Sequence, residues 1–209
     1  MKSLILSALL AMLVIGNSCN QDAKKNEHEG HDMAANDKDT VTHASSDDGK
    51  VKTVAVMYTD VDAKASASIK ELVDHYLHVK NALAADNSTD AVAGAKGMLD
   101  AMAGMDKSLL KTDQKKTYDA IEAGLKEHAQ QIASKGNDIK FQRAHFVDLS
   151  SGVYELVKSF GAGRVVYHDH CPMAKDNQGA LWVSETKEIK NPYFGASMPT
   201  CGSVEEEIK

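Results

Sequence analysis

The chain has 209 residues, 26 % of them charged, and a formal net charge of −6 at pH 7. That acidic balance, with a pI near 5.8 and no basic patch, argues against nucleic acid as a partner. Aromatics are scarce at 5 % and prolines number three, against many alanine, lysine, leucine and glutamate residues, so helix is favoured over strand and the length suits one domain with a small appendage.

The chain opens with Lys2 and an apolar run over residues 4–15, then Gly16 and Ser18, then Cys19. The run is too short to span a bilayer, so residues 1–18 are expected to be an export signal. A Cys directly after small residues resembles the bacterial lipobox, in which Cys19 is lipidated and becomes the first mature residue. The alternative is an ordinary cleaved signal with a spare thiol. Lipidation supplies an anchor and not a span, which places the protein on a periplasm-facing or cell-surface membrane.

Residues 19–62 are polar and cannot bury enough apolar surface to offset chain entropy, so a disordered tether is expected, with a short extended piece over Val51–Tyr58. The tether carries His28, His31 and His43, readable either as a metal-binding tract or as a solvated linker.

Helical periodicity begins near residue 64. Ile69, Leu72, Val73, Tyr76, Leu77 and Leu83 form one apolar face. Ser88 or Thr89 is the expected N-cap of a second helix, which carries Val92, Ala95, Leu99 and Met102. Thr112 or Asp113 is expected to cap a third, with Tyr118, Ile121, Leu125, His128 and Ile132 on its stripe. Residues 136–138 separate it from a fourth, where Gln142, Phe146, Leu149, Val153, Leu156 and Phe160 recur. Gly161 and Gly163 end that helix. Four amphipathic segments with short connections predict a mainly α protein, an antiparallel four-helix bundle over residues 63–163. The remaining residues, 164–209, are expected to form a small β-hairpin and loop appendage packed on the bundle, with β-like runs over 164–167 and 180–184.

This C-terminal segment concentrates the chemistry. Cys171 and Met173, joined by Pro172, and Met198 and Cys201 form two sulfur clusters thirty residues apart. Thiolate and thioether sulfur select Cu(I) or a similar soft ion, and imidazole tolerates copper or zinc. His168 and His170 precede Cys171, and strand alternation places both on one face with Cys171 on the other. A site built from Cys171, Met173, Met198 and Cys201, with His168 or His170, has the donor types Cu(I) prefers. The competing reading is a Cys171–Cys201 disulfide, which an exporting chain permits, with the methionines packed in a core. His75, His128 and His145 sit on or beside helical apolar stripes and form a secondary metal-ligand set, against the alternative of hydrogen-bonded core histidines. Met98, Met102 and Met105 read as core packing. No phosphate loop or nucleophile elbow is present, so the chain is not expected to be an enzyme.

The segments Tyr167-His168-Asp169-His170-Cys171-Pro172-Met173-Ala174, Gly179-Ala180-Leu181-Trp182-Val183-Ser184 and Ile189-Lys190-Asn191-Pro192-Tyr193-Phe194-Gly195, with Met198 and Cys201-Gly202, resemble the domain of unknown function 3347 family. Gln142-Arg143-Ala144-His145-Phe146 and Leu149-Ser150 extend the resemblance over residues 65–209. It implies an exported bacterial lipoprotein, or a relative of domains attached to adaptor subunits of heavy-metal efflux pumps. The Tyr-to-Cys-Pro-Met stretch is also similar to the heavy-metal motif of copper-transporting ATPases, although Tyr167 and Cys171 stand further apart than in that motif. The resulting expectation is a lipid-anchored Cu(I)-binding protein acting with efflux components. Its alternative is a disulfide-stapled interaction module that binds no metal, and a thiol-redox enzyme is the third reading.

Overall fold

A computed structural model describes residues 51–209; the stretch expected to be an export signal, Cys19 and the histidines of the expected tether lie outside the described residues. Of the described part, 59 % is helical. Four long helices dominate: α1 (Ala63–Ala84), α2 (Ser88–Gly104), α3 (Thr112–Ser134) and α4 (Ile139–Phe160). Helices α1 and α2, α2 and α3, and α3 and α4 pack on one another, and α4 also returns against α1.

Local chemistry sets the helix ends. Asp62 caps α1 by accepting from the Lys64 and Ala65 N–H groups at 2.8 and 3.3 Å. The cap of α2 is Asn87, which accepts from Asp90 N–H at 3.0 Å, one residue earlier than the expected Ser88; the Ser88 hydroxyl instead donates to the Gly136 carbonyl. Helix α3 starts at Thr112 after Lys111, whose N–H is taken by the Gln114 side chain at 3.0 Å. Asp138 caps α4 through Phe141 N–H, and Gly161, at φ +78°, ends it, a conformation open to glycine without a Cβ penalty.

The apolar faces meet in one core. Ile69, Leu72, Val73, Leu125, Ile132, Phe146, Leu149, Val153 and Leu156 are all buried, and so are the three methionines of α2 and its end, Met98, Met102 and Met105. Tyr76 stacks on Phe146 at 5.4 Å, an arrangement worth about 0.5–1.5 kcal/mol beyond area burial. Its hydroxyl pairs with Ser150 at 2.9 Å and accepts from Val183 N–H at 3.0 Å, so one side chain ties α1, α4 and the sheet together.

The C-terminal part is larger than a hairpin. Strands β2 (Val166–Cys171) and β3 (Ala180–Ser184) pair antiparallel, as a hairpin would. Strand β4 (Ser203–Ile208) adds antiparallel to β2, and β1 (Lys52–Val54) adds parallel to β4, giving a mixed four-stranded sheet in the order β1-β4-β2-β3. Thus the end of the stretch expected as a tether is drawn into the sheet. A strand edge carries unpaired backbone groups that must find partners, and β1 covers the outer edge of β4 while Val56 and Lys209 bond across it. The run Ser203-Val204-Glu205-Glu206-Glu207-Ile208 is too charged to announce a strand by composition.

Candidate functional site

The β2–β3 connection is a single turn, α5 (Ala174–Asn177), in which Lys175, Asp176 and Asn177 all have left-handed backbones, at φ 53, 54 and 64°. Such residues each cost about 1–2 kcal/mol and persist only where surroundings enforce them. Here Gly179 N–H bonds to the Ala174 carbonyl at 3.0 Å, Asn177 N–H reaches the Met173 carbonyl at 3.3 Å, and Ala174 is buried.

The sulfur pair lies at the end of β2. Cys171 is fully buried, Cys201 is half-buried, and their Sγ atoms are 2.7 Å apart. Asn191 builds the second half of this junction: its Nδ2 donates to the Cys201 carbonyl at 2.6 Å, and its Oδ1 accepts from the Tyr193 and Phe194 N–H groups. Arg143 clamps the same loop to α1, donating to the Pro192 and Leu83 carbonyls at 2.8 Å each and to Asp86 at 2.5 Å. The adjacent Cys171 thiol, with burial, raises the Cys201 pKa above its ordinary value, opposed by the Met173 N–H. Met173 is 45 % exposed and borders a cleft against α4 with Tyr193 and Phe194. Met198 ends a 3₁₀ turn, and its carbonyl accepts from Cys201 N–H at 3.3 Å.

The two imidazoles of β2 stand elsewhere. His168 and His170 line a cleft of about 380 Å³ with Glu205 of β4 and with Asp148 and Ser151 of α4. His168 is 8 % exposed and stacks on Tyr154 with ring centroids 4.3 Å apart. Burial lowers its pKa against the opposing pull of Glu205 and Glu206, so the ring is neutral at pH 7.

The helical histidines divide. His128 of α3 and His145 of α4 meet, Nδ1 to Nδ1, at 3.2 Å. His75 lies apart from them, its ring against Gly97 of α2, where an added Cβ would sit 2.3 Å from His75 Nδ1.

On the other face of β2, opposite Trp182 in the register, Asp169 is fully buried and neither oxygen has a hydrogen-bond partner among the described residues. Burial raises its pKa to about 8, against the Lys80 ammonium and the Trp182 indole, which falls short of hydrogen-bond geometry. Lys80, itself buried, is committed to Glu185 at 2.8 Å. Sequence reasoning passed over Asp169, Lys80, Glu185 and Glu205, because only the packing of α1 on β3 and the pairing of β4 with β2 give them neighbours.

Among the described residues no helix is long and apolar enough to cross a membrane, and no cluster of three or more His, Cys, Asp or Glu side chains is already gathered in metal-ligating geometry. Neither a curated protein nor a solved structure matches the chain. Residues 72–164, from within α1 to just past α4 and ending before the sulfur and histidine residues of the tail, match the family described as protein of unknown function (DUF3347).

Proposed function

We propose that this protein is an exported, lipid-anchored metal-binding protein that holds Cu(I), or another soft ion, and exchanges it with heavy-metal efflux components. The supporting observation is the meeting of Cys171 and Cys201, thirty residues apart in sequence, with their sulfurs 2.7 Å from each other. Thiolates are charged donors suited to Cu(I). Met173, exposed and two residues beyond Cys171, and Met198, three residues before Cys201, are the thioether donors of this reading. His168 and His170 line a cleft to which neither Cys171 nor Cys201 contributes, so in this reading sulfur carries the ion. The scaffold of this reading is an antiparallel four-helix bundle, supported by short connections and by packing between successive helices.

A metal must displace the proton that the raised Cys201 pKa retains, so Cu(I) affinity should rise as pH increases toward that pKa. Competition with a Cu(I) chelator should show one ion bound by reduced protein and loss of that binding in the Cys171→Ser, Cys201→Ser double variant. Equal binding by wild type and double variant would remove the sulfur site.

The same sulfur contact favours a second reading, a disulfide-stapled interaction module that binds no metal. Closing that loop would add about 3–4 kcal/mol of stability. Protein taken directly from the exported fraction in the presence of copper should then show no titratable thiols, and Cys171→Ser should lower its melting temperature with or without copper; two protectable thiols support the metal reading.

The anchor has its own check. Cys19→Ser protein should leave the membrane fraction, because a lone apolar signal run without lipid provides no lasting hold. Persistence in membranes after a carbonate wash would contradict lipidation.

A further inference from the structure

We propose that His168, His170 and Glu205 form a second, chemically distinct site for a borderline divalent cation such as Zn2+ or Cu2+. Its ligands include neither Cys171 nor Cys201, so it does not depend on the sulfur site.

On β2 and β4, His168 pairs with Glu206 but the next residue, Asp169, pairs with Val204. Glu205 is therefore the extra residue of a β-bulge. A bulge breaks the alternation of faces and re-aims a side chain, and such breaks gather beside functional sites. Here it turns Glu205 toward the same cleft as both imidazoles. Glu205 Oε1 is 3.4 Å from His170 Nδ1, and Glu205 Oε2 is 3.9 Å from His168 Nδ1. Nitrogen and oxygen ligands each about 2.0–2.2 Å from a shared Zn2+ lie near such separations from one another, so each imidazole is spaced from Glu205 as a co-ligand would be.

Glu206, the other carboxylate beside His168, is already occupied. It accepts from Tyr154 O–H at 2.6 Å and from Lys52 at 3.0 Å. Glu205 has 45 % of its side chain exposed and is available to a cation entering from solvent.

His168 is the second, independent observation. It is 8 % exposed and lines the cleft, yet neither of its ring nitrogens has a hydrogen-bond partner among the described residues. A buried polar group without a partner costs about 1–3 kcal/mol, a cost that ligation of a cation would remove.

His170 is placed for the same role. Its Nε2 lies against Gly179, where an added Cβ would come within 2.5 Å. That backbone contact fixes the ring with Nδ1 toward Glu205. Two imidazoles and a carboxylate leave open positions for water, as sites that exchange their ion require, and Asp148 and Ser151 of α4 border that space.

The test uses the full chain in detergent, with Cys171→Ser and Cys201→Ser present so that sulfur takes no part. Calorimetric titration with Zn2+ alone, with 15N-histidine NMR, reads the site. The expected result is one Zn2+ bound at His168 and His170, with both imidazole nitrogen resonances shifted. Adding Glu205→Gln or His170→Ala, both at accessible positions, should weaken that binding about tenfold or more, and the far-ultraviolet circular dichroism should stay unchanged. Zn2+ binding that shifts only other histidines, or that is equally tight in both variants, overturns the proposal, as does the absence of binding. A loss of Cu(I) binding in the sulfur double variant leaves this outcome unaffected, so the two readings fail separately.

Discussion

Asp169→Asn is expected to stabilise the protein at pH 8 and to change it little near pH 4. The folded carboxyl has its pKa raised from 3.8 to about 8, chiefly by burial. Between those values the unfolded chain releases this proton while the folded chain keeps it. The native state then binds more protons, so wild-type stability falls as pH rises through the window from about 4 to about 8. Asparagine carries no such proton. The gap between variant and wild type should open with a slope of up to about 1.4 kcal/mol per pH unit and reach roughly 2–4 kcal/mol after local relaxation. Urea titrations at pH 4, 6 and 8 measure it. A gap that stays at zero would mean that Lys80 holds Asp169 ionised in the fold despite its bond to Glu185 at 2.8 Å.

Trp182→Ala should cost about 3–5 kcal/mol, the range for removing a buried tryptophan from a packed core. Trp182 is completely buried and meets Tyr193 edge-to-face, with centroids 6.0 Å apart. Its ring also fills the space beside Gly202, where an added Cβ would lie 2.8 Å from the indole. Gly202 follows Cys201 and adopts φ +139°, so the indole supports the backbone that presents one of the two sulfurs. Chemical denaturation should show a lower midpoint with a similar slope. A loss below about 1 kcal/mol would indicate that the tail packs loosely on the helices.

The four helices were legible because their signal is local. Apolar residues recurring at threes and fours identify a buried face, and the stripes of Ile69 to Leu83 and Phe146 to Phe160 are buried. Cap positions moved by one residue at α2 and α3, since neighbouring polar side chains compete for the same N–H groups. The hairpin of β2 and β3 was also legible from its β-like runs. Strand β4 was not, because its three successive glutamates conceal a pairing that only the edges of β1 and β2 supply.

By itself, the sequence determined the helical character of the protein, the order of its main helices, and the clustering of sulfur side chains at Cys171 and Met173 and at Met198 and Cys201, since each follows from residue type and short spacing. Only the tertiary structure decided which of those groups meet. It brought Cys171 to Cys201, separated both from His168 and His170, paired His128 with His145 while leaving His75 against α2, and turned Glu205 toward two imidazoles through a bulge. Strand register is a non-local quantity, and a shift of one residue moves a side chain to the opposite face of a sheet. For that reason the sulfur and imidazole side chains could be picked out from the sequence, but their neighbours could not.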